Sequence, residues 1–432
     1  KESIIRRSRR QFLQRNSLSI GNCVRRTRDY AIIEPSEDIL ELLSSKELKI
    51  VAGDYIQFPA MGETMELMRQ SKAMNRILKP ESKYNHRPIN PNLPNFIFDP
   101  KYAGETVVDL NAAMEDIRSH KIGNLNDRQL EAVTKSVLAK DLALIQGPPG
   151  TGKTTTLAKR IIGLMDQTKQ CRILVLAPTN KACDVLAKKV LELEPENDYW
   201  LWRFVSTMDP ELEDEEIVYQ RNSDIMRQDQ VCVVSTIARY SFDGFEDGML
   251  NSINWDYVII DEASMIPLYQ ILPPLFNEQS GKIWIAGDPF QIDPIVNIDL
   301  WKDENIYKMI ELRNFANPKT SPVQFDVELL MTQYRSIPVI GELYSQYMYQ
   351  GKLCHDRSAA SHRVLNMGIQ ESPLNIISFP VNKDSIFETK RLMGSNIHIY
   401  SVLFTVEFLK YITGQLSKDC SNKPIRIGVL SP

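Results

Sequence analysis

The segment from Gly147 to Thr154 constrains this chain more than any other, because it joins a glycine-rich turn to a lysine and a threonine. Its order is Gly-x4-Gly-Lys-Thr, and it lies between an apolar run at Leu142–Ile145 and a helical pattern at Thr155–Met165. Glycines let consecutive backbone N–H groups turn inward around an anion, and the start of the following helix adds partial positive charge. A strand, this turn and a helix in that order predict a phosphate-binding loop.

Short apolar runs alternate with helical patterns through the middle of the chain, which is typical of a parallel sheet covered on both faces. We predict strands at Leu142–Ile145, Arg172–Leu176, Val231–Val234, Tyr257–Ile260 and Lys282–Ala286. A shorter α/β pattern begins near residue 374, with strands predicted at Asn375–Phe379 and Ile425–Leu430 around a helix at about 397–413. The sequence therefore predicts the α/β class.

Two carboxylates follow the predicted strand Tyr257–Ile260, namely Asp261 and Glu262. Nucleotide hydrolysis needs one carboxylate to hold Mg²⁺ and another to orient or deprotonate the attacking water. We expect Asp261 and the Thr154 hydroxyl to hold the metal and Glu262 to act on the water. Lys153 is expected to reach the β- and γ-phosphates.

The charge of the chain is unevenly distributed. Its 432 residues carry 51 basic and 55 acidic side chains, for a net charge of −4, and 43% of the residues are apolar. This composition excludes a collagen, a disordered tail and a strongly basic, histone-like binder. Residues 1–30, however, hold nine basic and two acidic residues, a net of +7. This basic segment either contacts phosphates or forms the solvated face of a helix.

Residues 1–79 are interpreted as an N-terminal accessory region of mixed structure. Ser36 is a candidate cap for a short helix, and strands are predicted at Lys49–Val51 and Tyr55–Phe58 around a turn. The helix carries Ile39, Leu40, Leu42 and Leu43, and a later stripe of apolar residues, interpreted as core packing, comprises Met61, Met65, Met68, Met74, Ile77 and Leu78. Prolines concentrated in residues 80–100 predict a linker, which with its lead-in spans 80–122.

The cysteines and the hydropathy bear on the location of the protein. Six scattered cysteines without a Cys-x-x-Cys pair favour reduced thiols in an intracellular protein, cytoplasmic or, in a eukaryote, nuclear. No window approaches the roughly 18 apolar residues of a membrane-spanning helix, so we expect no membrane partner. The histidines show no metal-ligand spacing, and the Cys354-His355 pair is interpreted as incidental.

Seven short motifs stand in a fixed order along residues 120–432. They are Leu125-Asn126-Asp127-Arg128-Gln129, Gly147–Thr154, Ala177-Pro178-Thr179-Asn180, Val234-Ser235-Thr236, Asp261-Glu262, Gly287-Asp288-Pro289-Phe290-Gln291 and Gln333-Tyr334-Arg335. In this order they resemble the superfamily 1B helicases of the Upf type, which include senataxin. The resemblance implies two RecA-like P-loop cores, ATP and Mg²⁺ as cofactors, and ATP-driven movement 5′ to 3′ on single-stranded RNA or DNA.

The resemblance also implies roles at the ATP site. Gln129 would hydrogen-bond the adenine edge, and Tyr334 would stack on the base. Gln291 would sense the γ-phosphate, whereas Arg335 would reach it from the second core, so that its charge acts only when the cleft between the cores closes. The nucleotide-binding set is Gln129, Gly147, Pro148, Pro149, Gly150, Thr151, Gly152, Lys153, Thr154, Thr155 and Tyr334, and the catalytic set is Lys153, Glu262, Gln291 and Arg335.

Short polar residues that follow predicted strands are candidates for gripping the nucleic-acid backbone. The candidates are Pro178, Thr179, Asn180, Ser235 and Thr236. Hydroxyl, amide and backbone N–H groups can hold phosphates and sugars without reading bases. Thr179 and Asn180 also precede a helical pattern at Lys181–Val190, so helix capping is an alternative, and both roles can hold at once.

The predicted division of the chain is an accessory region (1–79), a linker (80–122), a first core with the ATP site (123–322) and a second core (323–432). The family's last motifs, including its second arginine, are absent, and the chain starts at Lys1 rather than Met; we therefore expect a fragment. Three functions stay open: an ATP hydrolase that unwinds or translocates, a nucleotide-gated nucleic-acid clamp, and the motor piece of a larger machine. In the last, the chain would act with a protein partner or a fused nuclease or defence effector.

Overall fold

The structure is a computed structural model of the chain. The residues that it describes are 2–6, 18–26, 31–35, 37–49, 55–57, 71, 109–119, 123–139, 141–195, 200–204, 228–243, 250, 254–276, 281–294, 296, 304–310, 326–357, 374, 390–392, 395–419 and 427–429. The predicted methionine stripe, the proline-rich linker and the strand at Asn375–Phe379 lie outside these residues, as does Ser36.

An antiparallel sheet forms from the N-terminal segment. Its strands are β1 (Glu2–Arg6), β2 (Leu18–Arg26), β3 (Ala31–Pro35) and β4 (Tyr55–Gln57), in the order β3-β2-β1-β4. The strand predicted at Tyr55–Phe58 is confirmed, and so is the short helix, α1, which spans Glu37–Ser44. Lys49 is not in a strand, and residues 50–51 lie outside the described part.

The basic residues of the N-terminal segment that the structure describes lie in strands rather than on a helix. Arg6 lies on β1, and Arg25 and Arg26 lie on β2, so the described members of the segment are in strands. Strand pairing between β1 and β2 brings the two stretches of this segment together, because Glu2 pairs with Asn22 and Ile5 with Leu18. For these three residues the helical interpretation was wrong, because it assumed local contacts, whereas β1 and β2 pair across separated stretches of the chain.

A parallel sheet of seven strands forms the centre of the molecule. The strands are β5 (Leu142–Gln146), β6 (Cys171–Ala177), β7 (Leu201–Phe204), β8 (Gln230–Thr236), β9 (Tyr257–Ile260), β10 (Lys282–Gly287) and β11 (Asp326–Leu329). Their spatial order is β11-β5-β10-β9-β6-β8-β7, and every neighbouring pair is parallel. The five predicted strands and the α/β class are thus confirmed.

Helices cover both faces of this sheet. Successive residues of a strand point to opposite faces, so each strand contributes side chains to the apolar cluster on either side. Leu142 and Leu144 of β5 join one apolar cluster, whereas Ala143 and Ile145 join the other. The helices of the chain as described are α2 (Leu110–Arg118), α3 (Asp127–Leu138), α4 (Lys153–Gln167), α5 (Asn180–Leu193), α6 (Ile237–Asp243), α7 (Leu268–Phe276), α8 (Ile306–Met309), α9 (Pro338–Tyr349) and α10 (Ile399–Asp419). A 3-10 turn spans Ala263–Met265.

Strand β11 extends the first core beyond its predicted end. It pairs with β5 from Asp326 to Leu329, although the sequence assigned residues from 323 onward to the second core. After it, the described residues form two-stranded ladders only, β12 (Thr332–Gln333) with β13 (Cys354–His355) and β14 (Lys390–Leu392) with β15 (Ser395–Ile397). Residues 427–429 carry no strand, and the sheet of a second core stays a prediction. None of the described helices has the length and apolar character needed to cross a membrane.

Candidate ATP site

A cavity of about 470 Å³ opens beside the phosphate loop, at the edge of the sheet where the parallel strands end. The loop connects β5 to α4, so its backbone N–H groups lie at the start of a 15-residue helix. The residues that line the cavity are Pro148–Thr155, Val185, Lys188, Lys189, Glu192, Glu262, Gln291, Tyr334 and Arg335. The structure therefore brings together predicted site residues that are separated by nearly 190 positions in the chain.

The phosphate loop is anchored by its own hydrogen bonds. Gly147 N donates to Gly287 O at 2.9 Å, which ties the loop to the neighbouring strand β10. Lys153 Nζ donates to Gly147 O at 2.6 Å, and the Lys153 side chain is buried. Thr151 Oγ1 donates to Pro148 O at 2.7 Å. The Lys153 ammonium group thus already lies across the turn of the loop, where a bound phosphate would contact it.

Gln129 is buried beside the loop rather than on the cavity wall. Its Nε2 donates to Thr151 O at 3.1 Å, and its Oε1 accepts from Asn126 N at 3.1 Å. Asn126 in turn caps α3 by accepting from Gln129 N, which completes a capping box. Asn126 Nδ2 also donates to Tyr334 OH at 2.5 Å. Gln129 therefore supports the loop in this structure, and Asn126 links its helix to the predicted base-stacking tyrosine.

Asp261 and Glu262 differ sharply in their surroundings. Asp261 is 3% exposed, and burial together with the charge of Glu262 raises its pKa to about 7, although Lys153 opposes this shift. Glu262 lines the cavity with a backbone φ of 50°, a left-handed conformation that is uncommon outside glycine. Its buried Oε2 has no hydrogen-bond partner among the described residues. Strain and an unpaired carboxylate oxygen at one residue are typical of a functional site.

Gln291 reaches the cavity from a turn that begins at Asp288. The Asp288 carboxylate is fully buried and accepts from Phe290 N at 3.1 Å and from Tyr349 OH at 2.5 Å. Burial raises the pKa of Asp288, and these hydrogen bonds oppose the shift. Because Tyr349 lies at the end of α9, the turn that carries Gln291 is joined directly to the segment that follows β11.

Tyr334 and Arg335 lie against the phosphate loop. Tyr334 N donates to Gly150 O at 2.8 Å. Gly150 has a φ of 77°, and a Cβ added there would lie 2.7 Å from Arg335 Cβ, so only glycine allows this approach. Both side chains are exposed, and both line the cavity. Arg335 thus lines the same cavity as the phosphate loop, and its approach to the γ-phosphate from a second core stays a prediction.

The candidate nucleic-acid residues divide between surface and interior. Thr179 is exposed and caps α5, because its Oγ1 accepts from Ala182 N at 3.1 Å. Asn180 is also exposed, but its Oδ1 accepts from Arg203 Nη2 at 3.1 Å. Ser235 is fully buried and donates to Phe204 O at 3.3 Å. Pro178 and Thr236 are half-buried at the ends of their strands.

Four residues of α5 line the cavity and were missed by the sequence analysis. Val185, Lys188, Lys189 and Glu192 follow one another at helical spacing, and Lys189 pairs with Glu192 at 2.8 Å. The signal was available, because residues three and four apart share one helix face and α5 packs beside α4. It was overlooked because the helix was considered only for its capping residues.

Comparison with known proteins agrees with this geometry. Two family models, both described as "AAA domain", match residues 124–213 and 312–432. The putative helicase mov-10-B.2 of Danio rerio is 26% identical over 317 residues, 67% of this chain and 30% of the relative. The DNA polymerase alpha-associated DNA helicase A of Saccharomyces cerevisiae is 25% identical over 395 residues, 78% and 54% of the two chains. The DNA replication ATP-dependent helicase/nuclease JHS1 of Arabidopsis thaliana is 28% identical over 265 residues, 59% and 18%.

The two family models and the helicase relatives together indicate a superfamily 1B helicase. The family expected from the ordered motifs is thus confirmed. In this chain the first matched segment holds Gln129 and the phosphate loop, and the second holds Tyr334 and Arg335. The chain spans about half or less of the length of these three relatives.

Proposed function

We propose that this chain is the ATP-driven motor of a helicase or translocase that moves 5′ to 3′ on single-stranded nucleic acid. The observation that supports it is the convergence of Lys153, Glu262, Gln291 and Arg335 on one cavity. A phosphate-binding loop, a carboxylate and an arginine from a later segment are the parts that phosphoryl transfer to water requires. The direction rests on the resemblance to the family.

The residues present fit a nucleoside triphosphate with Mg²⁺. The loop Pro148–Thr155, which includes Lys153, supplies donors for phosphate oxygens. The Thr154 hydroxyl on this loop and the buried Asp261 carboxylate, directly after β9 and beside Glu262, would supply the hard oxygen ligands that Mg²⁺ prefers. A bound nucleotide with its metal supplies a polarised γ-phosphate. The unpaired Oε2 of Glu262 would orient and deprotonate the attacking water, and Arg335 would stabilise the charge that develops on the leaving oxygens.

The single-stranded nucleic acid would lie over the carboxyl ends of β6 and β8, next to Pro178, Thr179, Asn180, Ser235 and Thr236. Thr179 and Asn180 are the exposed members of this set and offer a hydroxyl and an amide to the phosphates. The buried Ser235 would act by fixing the backbone of its strand, because its hydroxyl bonds inside the protein. These groups read backbone rather than bases, so RNA and DNA both remain candidates.

The test is the rate of ATP hydrolysis with and without single-stranded RNA or DNA at a stated salt concentration. We expect stimulation by at least one of the two, and we expect Lys153→Ala and Glu262→Gln each to lower kcat by about two orders of magnitude or more. Lys169→Ala is a matched control, because this exposed lysine lies just before β6, at the opposite end of the sheet. Hydrolysis that no single strand stimulates would contradict the proposal.

A duplex with one single-stranded tail separates this function from the alternatives. Unwinding of a 5′-tailed but not a 3′-tailed duplex would support the proposed direction and eliminate a passive clamp. The similarity to a helicase/nuclease favours one alternative, in which the chain is the motor piece of a larger machine. Strand-stimulated hydrolysis without unwinding, restored by a fused or added partner, would support that alternative.

A further inference from the structure

The side chain of Gln333 is fully buried next to the loop that carries Tyr334 and Arg335, and both ends of its amide are hydrogen-bonded. Its Oε1 accepts from Arg335 N at 3.1 Å and from Ser336 N at 2.8 Å. Its Nε2 donates to Ser336 O at 2.7 Å. These three bonds fix which end of the amide is oxygen, because backbone N–H groups need an acceptor and a carbonyl needs a donor.

The remaining N–H of Gln333 meets His355. Gln333 Nε2 and His355 Nδ1 are 2.9 Å apart, and the two residues are paired in register across β12 and β13. Because the amide presents a donor here, Nδ1 must accept, so the ring proton is on Nε2. His355 Nε2 then donates to Glu342 Oε2 at 3.1 Å. We call this chain of side chains, Gln333, His355 and Glu342, the glutamine clamp.

Gly341 makes room for the glutamine clamp. A Cβ added at this position in α9 would lie 2.6 Å from His355 Nδ1 and 2.8 Å from Gln333 Nε2. Both values are below any ordinary contact distance, so a larger residue would push the ring away from the amide. The helix therefore carries a glycine where it contacts the glutamine clamp. A glycine inside a helix costs about 1 kcal/mol of stability relative to alanine.

We propose that His355 is a positioning residue, which holds Arg335 over the ATP cavity by fixing the amide of Gln333. This inference rests on the proposed function and deepens it. Tyr334 is held independently, by Gly150 O and by Asn126. The backbone N–H of Arg335, in contrast, bonds to the Gln333 amide. Loss of the acceptor at His355 leaves one N–H of this buried amide without a partner and weakens its hold on Arg335, whose carbonyl oxygen also accepts from Arg357 Nη1 at 3.0 Å.

The expected consequence is a loss in kcat rather than in ATP binding. His355→Leu removes the acceptor while keeping an apolar side chain of similar reach, and misplacement of a charge-stabilising group by about 1 Å can cost up to about 100-fold. We expect kcat to fall about 10- to 100-fold, with KM for ATP changed by less than about threefold, because the phosphate loop still grips the nucleotide. His355→Asn should restore most of kcat, since its Oδ1 can accept from Gln333 Nε2.

The experiment compares steady-state ATP hydrolysis of the full chain with affinities for ADP and for ADP with aluminium fluoride, a mimic of the transferring phosphate. His355→Leu and Gly341→Ala should weaken binding of the mimic but not of ADP. Cys354→Ala is the matched control, because Cys354 is the exposed neighbour on the same strand and should behave as the wild type.

Three outcomes would overturn the inference. The first is a His355→Leu variant with wild-type kcat and mimic affinity. The second is an equal loss in the Leu and Asn variants that follows a fall in melting temperature, which would indicate a merely structural histidine. The third is a wild-type chain that binds neither ligand, which would overturn the ATP site itself. Hydrolysis that nucleic acid does not stimulate would refute only the proposed motor, because the comparison of ADP with its mimic needs no nucleic acid.

Discussion

The two walls of the ATP cavity differ in how the chain holds them. The sheet-borne wall, Pro148–Thr155 with Glu262, continues directly from buried parallel strands. The loop-borne wall, Tyr334 and Arg335, is exposed, and its position depends on one backbone hydrogen bond to Gly150 and on hydrogen bonds to the side chains of Gln333 and Asn126. One wall is therefore fixed by the core of the protein, whereas the other is fixed by a few polar contacts that single substitutions can remove. This difference suits a site in which the sheet-borne wall binds phosphate continuously, whereas the loop-borne wall completes the catalytic site only when its polar contacts are in place.

Arg335→Ala should produce the largest separation between the two walls. We expect kcat to fall about 1,000-fold or more, as for other arginines that act across a cleft. Affinity for ADP should be nearly unchanged, because the sheet-borne wall is intact. Steady-state hydrolysis and titration with a fluorescent ADP measure the two effects. Arg335→Lys keeps the charge but loses the planar fork, so it should recover little of the rate; a kcat close to wild type in the alanine variant would contradict the assignment.

Gly150→Ala should break the contact between the walls. The new Cβ would meet Arg335 Cβ at 2.7 Å, and φ of 77° is strained for alanine by about 1–2 kcal/mol. We expect kcat to fall about 10- to 100-fold, because the two walls can no longer touch. Gly414→Ala is the matched control, since a Cβ there meets nothing within 4 Å. Equal rates for the two variants would show that the contact is unimportant.

Tyr349→Phe tests the link between the Gln291 turn and α9. Removing the hydroxyl leaves the Asp288 carboxylate, which is fully buried, without the donor at its Oδ2. A buried acceptor without its donor costs about 1–3 kcal/mol, which urea denaturation followed by circular dichroism would measure. Tyr347→Phe serves as the control, because Tyr347 is 81% exposed on the same helix. Similar unfolding midpoints for both variants would mean that this hydrogen bond adds nothing.

Asp261→Asn tests the buried strand end behind the sheet-borne wall, next to Glu262, through the pH dependence of stability. The folded pKa of Asp261, about 7, is above its ordinary value of 3.8, so its contribution to stability is present below about pH 4 and is lost as pH rises through 7. Without nucleotide and metal, the wild type should lose stability between pH 5 and pH 8. The Asn variant should lose less, by about 1 kcal/mol or more. Parallel melting curves at both pH values would contradict the burial of an ionisable Asp261.

The sequence predicted the central strands and the phosphate loop because both are governed by local rules. Apolar runs such as Tyr257–Ile260 and the spacing of Gly147–Thr154 needed no knowledge of distant residues. The strands β7 and β11 were not predicted, because each carries a buried charge that resembles a surface position. Arg203 is neutralised by Asp184 at 2.7 Å, and Glu328 by Lys135 at 2.8 Å. Such pairs join residues that are far apart in the chain, so no local pattern reveals them.

The same reason explains what was missed at the site. Lys153, Glu262 and Arg335 were predicted from motifs, and the structure places them on one cavity. His355 was interpreted as incidental because its partners, Gln333 and Glu342, come together only when β12 pairs with β13 beside α9. Gln129 was expected to face a base, but its amide is engaged by the loop and by its own helix cap.

The buried Arg203 also has a thermodynamic consequence for any nucleic acid that binds over the carboxyl ends of β6 and β8. Its guanidinium donates to Asn180 Oδ1, to Val234 O and to Phe204 O, and so connects the start of α5, just beyond β6, with the neighbouring strands β8 and β7. The rigidity of these tips is therefore established when the protein folds. A ligand that lands there loses its own freedom but does not have to freeze the receptor, so more of the enthalpy of each contact remains as affinity.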